Sequence, residues 1–193
     1  MSSLKDLVND RPVHERRVEI RTYAVEDEQL VVEGWLRDER LIDGFHWDGR
    51  ARPPGAVHWM CVRLLVQGWP LTIKDAEAEM PTAPHELCPT VMEKVKNVIG
   101  VPIVSGFSEE VRRRLGGIEG CAHMAHLIVS MGPAALHGYW THRSRKLRPL
   151  PRTLKEFPGL EYVINSCELW REEGPMVQAI RERIEKQAER SNG

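Results

Sequence analysis

The sequence predicts an α+β fold: an antiparallel β-meander of about four strands, packed by roughly three to four helices and followed by a C-terminal amphipathic helix. Three observations carry this. Apolar and polar residues alternate through Glu15–Tyr23 and Leu30–Arg37, and Ala56–Val66 is the strongest strand-like run. Short turns, Val25–Glu28 and Gln67-Gly68-Trp69-Pro70, link each run to a return strand. Beyond the proline break at Pro81–Pro84, glycine and proline fall where helix ends are expected.

Taken in order, residues 1–12 are polar and end in Asn9-Asp10-Arg11-Pro12, so a flexible lead-in is expected. The first strand places Val18, Ile20 and Thr22 on one side and Arg17, Glu19 and Arg21 on the other. Its return places Leu30, Val32, Gly34 and Leu36 together. The irregular stretch Asp38–Gly55 holds Phe45, His46 and Trp47; its length fits a lid or pocket rim, or a solvent loop pinned by its aromatics. In the third strand His58, Met60, Val62, Leu64 and Val66 share a face. If the turn pairs Val66 with Leu71, that face also carries Ile73, Asp75, Glu77 and Glu79, and His58 lies near the last two.

Cys88-Pro89 then leads into a helix over Thr90–Ile99, ended by Gly100 and Pro102. Ser108 caps a second helix that runs through Arg114 to Gly116-Gly117. A third starts near Glu119 and runs to Met131, where Gly132-Pro133 kinks or breaks it before Ala134–Trp140. Thr141–Lys155, with Arg143, Arg145, Lys146, Arg148 and Arg152, is a basic connector. Tyr162–Trp170 is a short strand or helix, and Pro175–Gln187 is an amphipathic helix with Met176, Ile180 and Ile184 at helical spacing. The expected organisation is a lead-in over 1–12, an α+β core over 13–140, and a 141–193 segment whose helix packs on the core or on a partner subunit of a homodimer.

Composition removes several classes of function. A chain of 193 residues suits one domain with an ample core. The 27 Lys and Arg balance 28 Asp and Glu, so no global field draws nucleic acid or an anionic membrane. Apolar runs such as Val62–Val66 are far too short to span a bilayer. MSSLKDLVND has no apolar signal core, so a cytoplasmic location is expected. Cys61, Cys88, Cys121 and Cys167 form no CxxC pair and are expected to be reduced. There is no GxGxxG, phosphate loop, GxSxG elbow or HExxH, so an organic cofactor is not expected.

What remains is chemistry that needs only protons or one metal ion, and eight histidines suit it, because imidazole titrates near neutrality. Gly120-Cys121-Ala122-His123-Met124-Ala125-His126 is the most specific segment. His123 and His126 are three apart and share a helix face, and Cys121 sits at the helix start, where the helix dipole favours thiolate. The bland alternative is a small buried thiol with two hydrogen-bonded core histidines. Cys88, after a proline-flanked turn, is either a second reactive thiol or a packed cap residue. His58 is either a partner of the acidic strand or a strand-end histidine bonded to a backbone carbonyl.

The strings Arg63-Leu64, Ile73-Lys74-Asp75-Ala76-Glu77, Cys88-Pro89, Gly106-Phe107, Val111-Arg112-Arg113-Arg114-Leu115-Gly116-Gly117 and Gly120-Cys121-Ala122-His123-Met124 resemble the bacterial domain-of-unknown-function family numbered 2889, over about residues 14–140. Relative to that family's usual pattern, Ala122 replaces a threonine, His126 replaces a glutamate, and Trp59 stands where an aspartate follows His58. The element order is also similar to that of iron–sulfur cluster scaffold proteins. That resemblance implies that His58 or Trp59, Cys88, and Cys121 or His123 converge in space.

The leading expectation is a catabolic enzyme, a lyase or hydrolase without organic cofactor, acting on a small aromatic molecule. His58 and His123 are the candidate acid and base, with His126 and Glu77 orienting them. His46, Trp47, Trp59 and Asp75 are candidate substrate contacts. His58, Cys88, Cys121 and His123 could supply a metal set for zinc or iron. The alternatives are a metal or iron–sulfur carrier and a non-catalytic small-molecule binding module.

Overall fold

The computed structural model describes residues 3–8, 11–26, 28–147, 151–157 and 159–191. The chain divides into two compact units, Met1–Arg143 and Ser144–Gly193. The first holds β1 (His14–Glu26), β2 (Gln29–Arg40), a two-stranded hairpin of β3 (Gly44–Phe45) and β4 (Ala51–Arg52), β5 (Gly55–Gln67) and β6 (Thr72–Thr82). β1, β2, β5 and β6 form one antiparallel sheet in that order. A 3-10 helix over Cys88–Val98 and helices α1 (Phe107–Leu115) and α2 (Ala122–Arg143) complete the unit. The fold is α+β, as the alternation predicts. No helix among the described residues is long and apolar enough to cross a membrane.

The inward face of the sheet is built from cross-strand rows. Thr22, Val32, Leu64 and Ala76 form one; Ile20, Gly34, Val62 and Ala78 the next; Val18, Leu36 and Met60 a third. Most of these side chains are buried, and Leu127, Ile128 and Met131 of α2 join them in the core. Three contacts fix where α2 lies. His123 stacks on His58. A Cβ on Gly34 would stand 2.8 Å from Met131 Sδ, and one on Gly138 would stand 2.3 Å from Thr22 Cγ2. The fifteen residue steps from His123 to Gly138 rise about 22 Å as helix, close to the roughly 20 Å that β1 covers between Arg16 and Thr22. The helix therefore runs along the sheet with its N-terminus at the Arg16 end.

That close seating explains why Pro133 does not end the helix. The ring removes one backbone hydrogen bond, yet α2 continues to Arg143. Met131, Gly132 and Ala135 around it are buried, and a Cβ on Gly132 would meet Phe107 Cε1 at 2.6 Å. The expected break is thus overridden by packing on both sides of the proline. The other helices lie near their expected places, with two differences. The expected Thr90–Ile99 helix is a 3-10 helix over Cys88–Val98 with Ile99 as its C-cap, and Gly106 rather than Ser108 occupies the N-cap of α1.

The β5–β6 register differs from the expected pairing. Val66 pairs with Ile73 and Leu65 with Asp75, so Lys74 is an extra residue in a bulge. Beyond it the face assignment flips. Ala76 and Ala78 point inward, while Glu77 and Glu79 stand on the outer face bound to Arg63, at 3.3 and 2.8 Å. Arg63 also binds Glu33 at 2.8 Å. Glu77 and Glu79 are therefore not neighbours of His58, because one inserted residue reverses the side chains from there to Glu79, where a second register shift follows.

In the lead-in, Leu4–Leu7 form a 3-10 turn capped by Ser3; Met1, Ser2, Asn9 and Asp10 lie outside the described residues. Within the expected connector, Thr141–Arg143 finish α2, and Arg148 lies outside the described residues. The second unit holds 3-10 helices Leu154–Glu156 and Glu168–Trp170, a single turn α3 (Leu160–Val163) and α4 (Pro175–Ser191). Met176, Ile180 and Ile184 of α4 line a groove of about 960 Å³ with Phe157 and Trp170.

The seating of α2 on β1 makes a prediction. Gly138→Ala should lower stability by about 1–3 kcal/mol through overpacking against Thr22, although alanine is the better helix former by roughly 1 kcal/mol. A denaturant midpoint that stays level or rises would show that the helix does not sit this close.

Candidate active site

One row further along the inward face, the apolar pattern stops. Asp38 continues the inward series Leu30, Val32, Gly34, Leu36, and it is 2% exposed. Its cross-strand neighbours are Arg16 on β1 and His58 on β5. The three side chains thus share the inward face in one row. A buried carboxylate is costly unless it is paired and hydrogen-bonded. Here Arg16 donates through Nε at 2.6 Å and Nη2 at 2.7 Å, one to each carboxylate oxygen. His58 Nδ1 lies 3.0 Å from Oδ2, and His14 Nε2 lies 3.5 Å from Oδ1. Arg16 accordingly holds the Asp38 carboxyl below its ordinary value, with a further contribution from His58.

α2 supplies the fourth member. Its first turn carries His123 over His58, with ring centroids 3.9 Å apart and planes tilted by 35°. Burial is the main force holding the His123 imidazole below its ordinary pKa, and the charges of His58, Arg16 and His126 add to it. His123 therefore stays neutral under conditions where a free histidine would begin to protonate. His58 is oriented differently: an ionised Asp38 can only accept, so His58 Nδ1–H donates to it. In the neutral ring this leaves Nε2 as the nitrogen without a proton.

Ligand atoms of Asp38, His58 and His123 all lie within 4.8 Å of one another. Two imidazoles and a carboxylate suit a divalent transition metal. Arg16 already occupies both oxygens of Asp38, so a metal there would have to share the carboxylate with the guanidinium.

The structure draws together His58 and His123 from the expected set. His126 is exposed one turn along α2 and acts on His123 through its charge. Cys121 is half-buried before α2, where its carbonyl accepts the Ala125 N–H at 2.9 Å. Cys88 is half-buried, and its N–H donates to the His85 carbonyl at 3.0 Å. Neither thiol belongs to the cluster among the described residues. Glu77 and Asp75 are exposed outside the row. Trp59 follows His58 and so faces the other side of the sheet, against Trp35 at 5.8 Å and under Arg37 at 5.4 Å. His46 and Trp47 lie in the turn between β3 and β4, where Trp47 is 98% exposed. That hairpin joins the end of β2 to the start of β5, two residues past Asp38 and three before His58. Asp38, Arg16 and His14 were not expected. Extending the inward alternation of β2 by one step past Leu36 points to Asp38, and the same step back from Val18 points to Arg16.

The cluster predicts how stability depends on pH. The folded pKa of His123 lies below the ordinary 6.5, so the unfolded chain takes up a proton that the folded chain refuses. Stability should fall as pH drops below that value. Asp38 has the same sign in a more acid window: its contribution is present above the ordinary 3.8 and is lost only as pH falls through its lower folded value. Urea midpoints at about pH 7.5 and about pH 5.5 should differ more in the wild type than in His123→Gln. Equal differences would contradict the burial of a neutral His123.

The family model described as "Protein of unknown function (DUF2889)" matches residues 14–137. No curated protein and no solved structure matches the chain. The match begins at His14, ends within α2, and contains Arg16, Asp38, His58 and His123. Since it covers more than half of the chain, this protein belongs to the DUF2889 family.

Proposed function

We propose that the protein is an enzyme, a lyase or hydrolase of small organic molecules, that uses histidine acid–base catalysis without an organic cofactor. The observation that carries this reading is the carboxylate-oriented His58 stacked on a neutral, partly buried His123. Paired titratable groups in unlike environments divide the work of acid and base between them. His123, neutral near physiological pH, accepts the substrate proton. His58, whose Nδ1–H stays on Asp38, acts as the acid in its imidazolium form, which carries a second proton on Nε2 and gives it to the leaving group. Both are reachable from solvent, since the His58 side chain is 15% exposed and His123 is only partly buried.

The aromatic nature of the substrate draws its support from the β3–β4 hairpin. Phe45 and Trp47 are 77% and 98% exposed, and His46 lies between them. An apolar ring seated beside the hairpin would cover them. A cytoplasmic location is part of the same reading.

Metal assistance is a second reading, favoured by the three ligand atoms within 4.8 Å. Zinc or iron held by Asp38, His58 and His123 would supply a Lewis acid. The carrier reading has less support, because a closed metal site would use its thiols and Cys88 and Cys121 stand outside the group.

Against a panel of small aromatic substrates, His58→Ala and His123→Ala should each lower turnover by about 10²–10⁴-fold. Cys88→Ser and Cys121→Ser should leave it nearly unchanged. Full activity in His123→Ala would remove the catalytic assignment. Loss of activity on chelation, restored by zinc or iron, would move the conclusion to the metal-assisted form.

A further inference from the structure

We infer that the site takes an organic anion, and that Arg16 binds the carboxylate of the substrate beside the reacting imidazoles. The inference rests on the acid–base reading of the same cluster and names its substrate class.

Arg16 presents two faces. Its Nε and Nη2 are fixed on Asp38 at 2.6 and 2.7 Å. A guanidinium has five N–H donors in a planar fork, so this side-on pairing leaves Nη1 and the second Nη2 hydrogen as another bidentate edge. That edge has no partner among the described residues. The burial of the pair is unequal. The Asp38 side chain is 3% exposed, whereas that of Arg16 is 40% exposed. The carboxylate is sealed beneath, and the guanidinium reaches the surface of the same row that holds His58.

The inventory of charges points the same way. Arg16, His14, His58 and His123 gather around one carboxylate, and His126 stands one turn along α2. Asp38 spends its oxygens on Arg16, His58 and His14. The outer edge of Arg16 is therefore an unspent donor pair, and among the described residues no second carboxylate is bonded to it. A substrate carboxylate on the outer edge of Arg16 would fill that place. Asp38 would meanwhile hold the guanidinium plane in place, which lowers the ordering cost of a bidentate contact.

The test uses the whole chain and side-chain NMR of the histidine imidazoles. Acetate, benzoate and phenylacetate are each titrated against their neutral amides. At least one acid should shift the His58 and His123 signals saturably, and bind about tenfold or more tighter than its amide. Arg16→Lys keeps the charge but loses the planar fork, and should weaken that acid by about tenfold. If Arg16→Lys disturbs the fold, the comparison of acid with amide in the wild type decides alone.

Equal binding of acid and amide would overturn the inference. So would the absence of any saturable shift at millimolar concentrations, or unchanged acid binding in a folded Arg16→Lys. Failure of this inference is separable from failure of the acid–base reading. Histidine variants that lose turnover while carboxylates do not bind leave catalysis standing and remove Arg16. Carboxylate binding with full turnover in His123→Ala does the reverse.

Discussion

The buried carboxylate of Asp38 ties the fold of the first unit to its site. It lies where the inward face of the sheet would otherwise end in another apolar row. Burying it demands compensation, and the two flanking strands provide it, Arg16 from β1 and His58 from β5. Each partner is thereby held at a fixed distance from the other across β2. The first turn of α2 closes over this row through His123, so the helix position and the imidazole pair depend on each other. Further along, Gly34 and Gly138 let α2 approach the strands closely enough for that overlap. Two glycines and one aspartate thus set the geometry in which the two imidazoles stack.

The two faces of the sheet handle charge differently, and the contrast clarifies the site. On the outer face Arg63 gathers Glu33, Glu77 and Glu79 near the surface, and Cys61 lies buried among its neighbours on that face. Burial pushes the Cys61 thiol up to about 12, so it is chemically quiet. There, acids outnumber the arginine that binds them. On the inward face the imbalance reverses, with one acid among several nitrogen donors. Surface ion pairs of the first kind add little to stability. A buried, donor-rich row of the second kind is where shifted titration and chemistry are expected.

Much of the fold was legible in the sequence because period-two alternation is a direct imprint of a half-buried sheet. The inward series of β2 and β5 could be read residue by residue. Two physical features hid the rest. The bulge at Lys74 leaves no compositional trace, yet it reverses the faces of Asp75, Glu77 and Glu79. Pro133 reads as a breaker because local propensity cannot register the packing of Gly132 on Phe107. At the site, His58 and His123 were visible as histidines at chemically suggestive places. Asp38 was missed because the strand reading ended at Arg37, one residue before the inward carboxylate. Arg16 was missed because an arginine on an edge strand ordinarily faces water. The thiols drew attention through their local motifs, but convergence is a property of the sheet rows, and Cys88 and Cys121 lie outside them.

The account stands most directly on the orientation of His58. Long-range proton–nitrogen NMR of the imidazoles reads which ring nitrogen carries the proton. For neutral His58 it should report a protonated Nδ1 and a bare Nε2, with the preference lost or weakened in Asp38→Asn. A protonated Nε2 in the wild type, or a tautomer indifferent to Asp38→Asn, would contradict the view that Asp38 sets this histidine for chemistry.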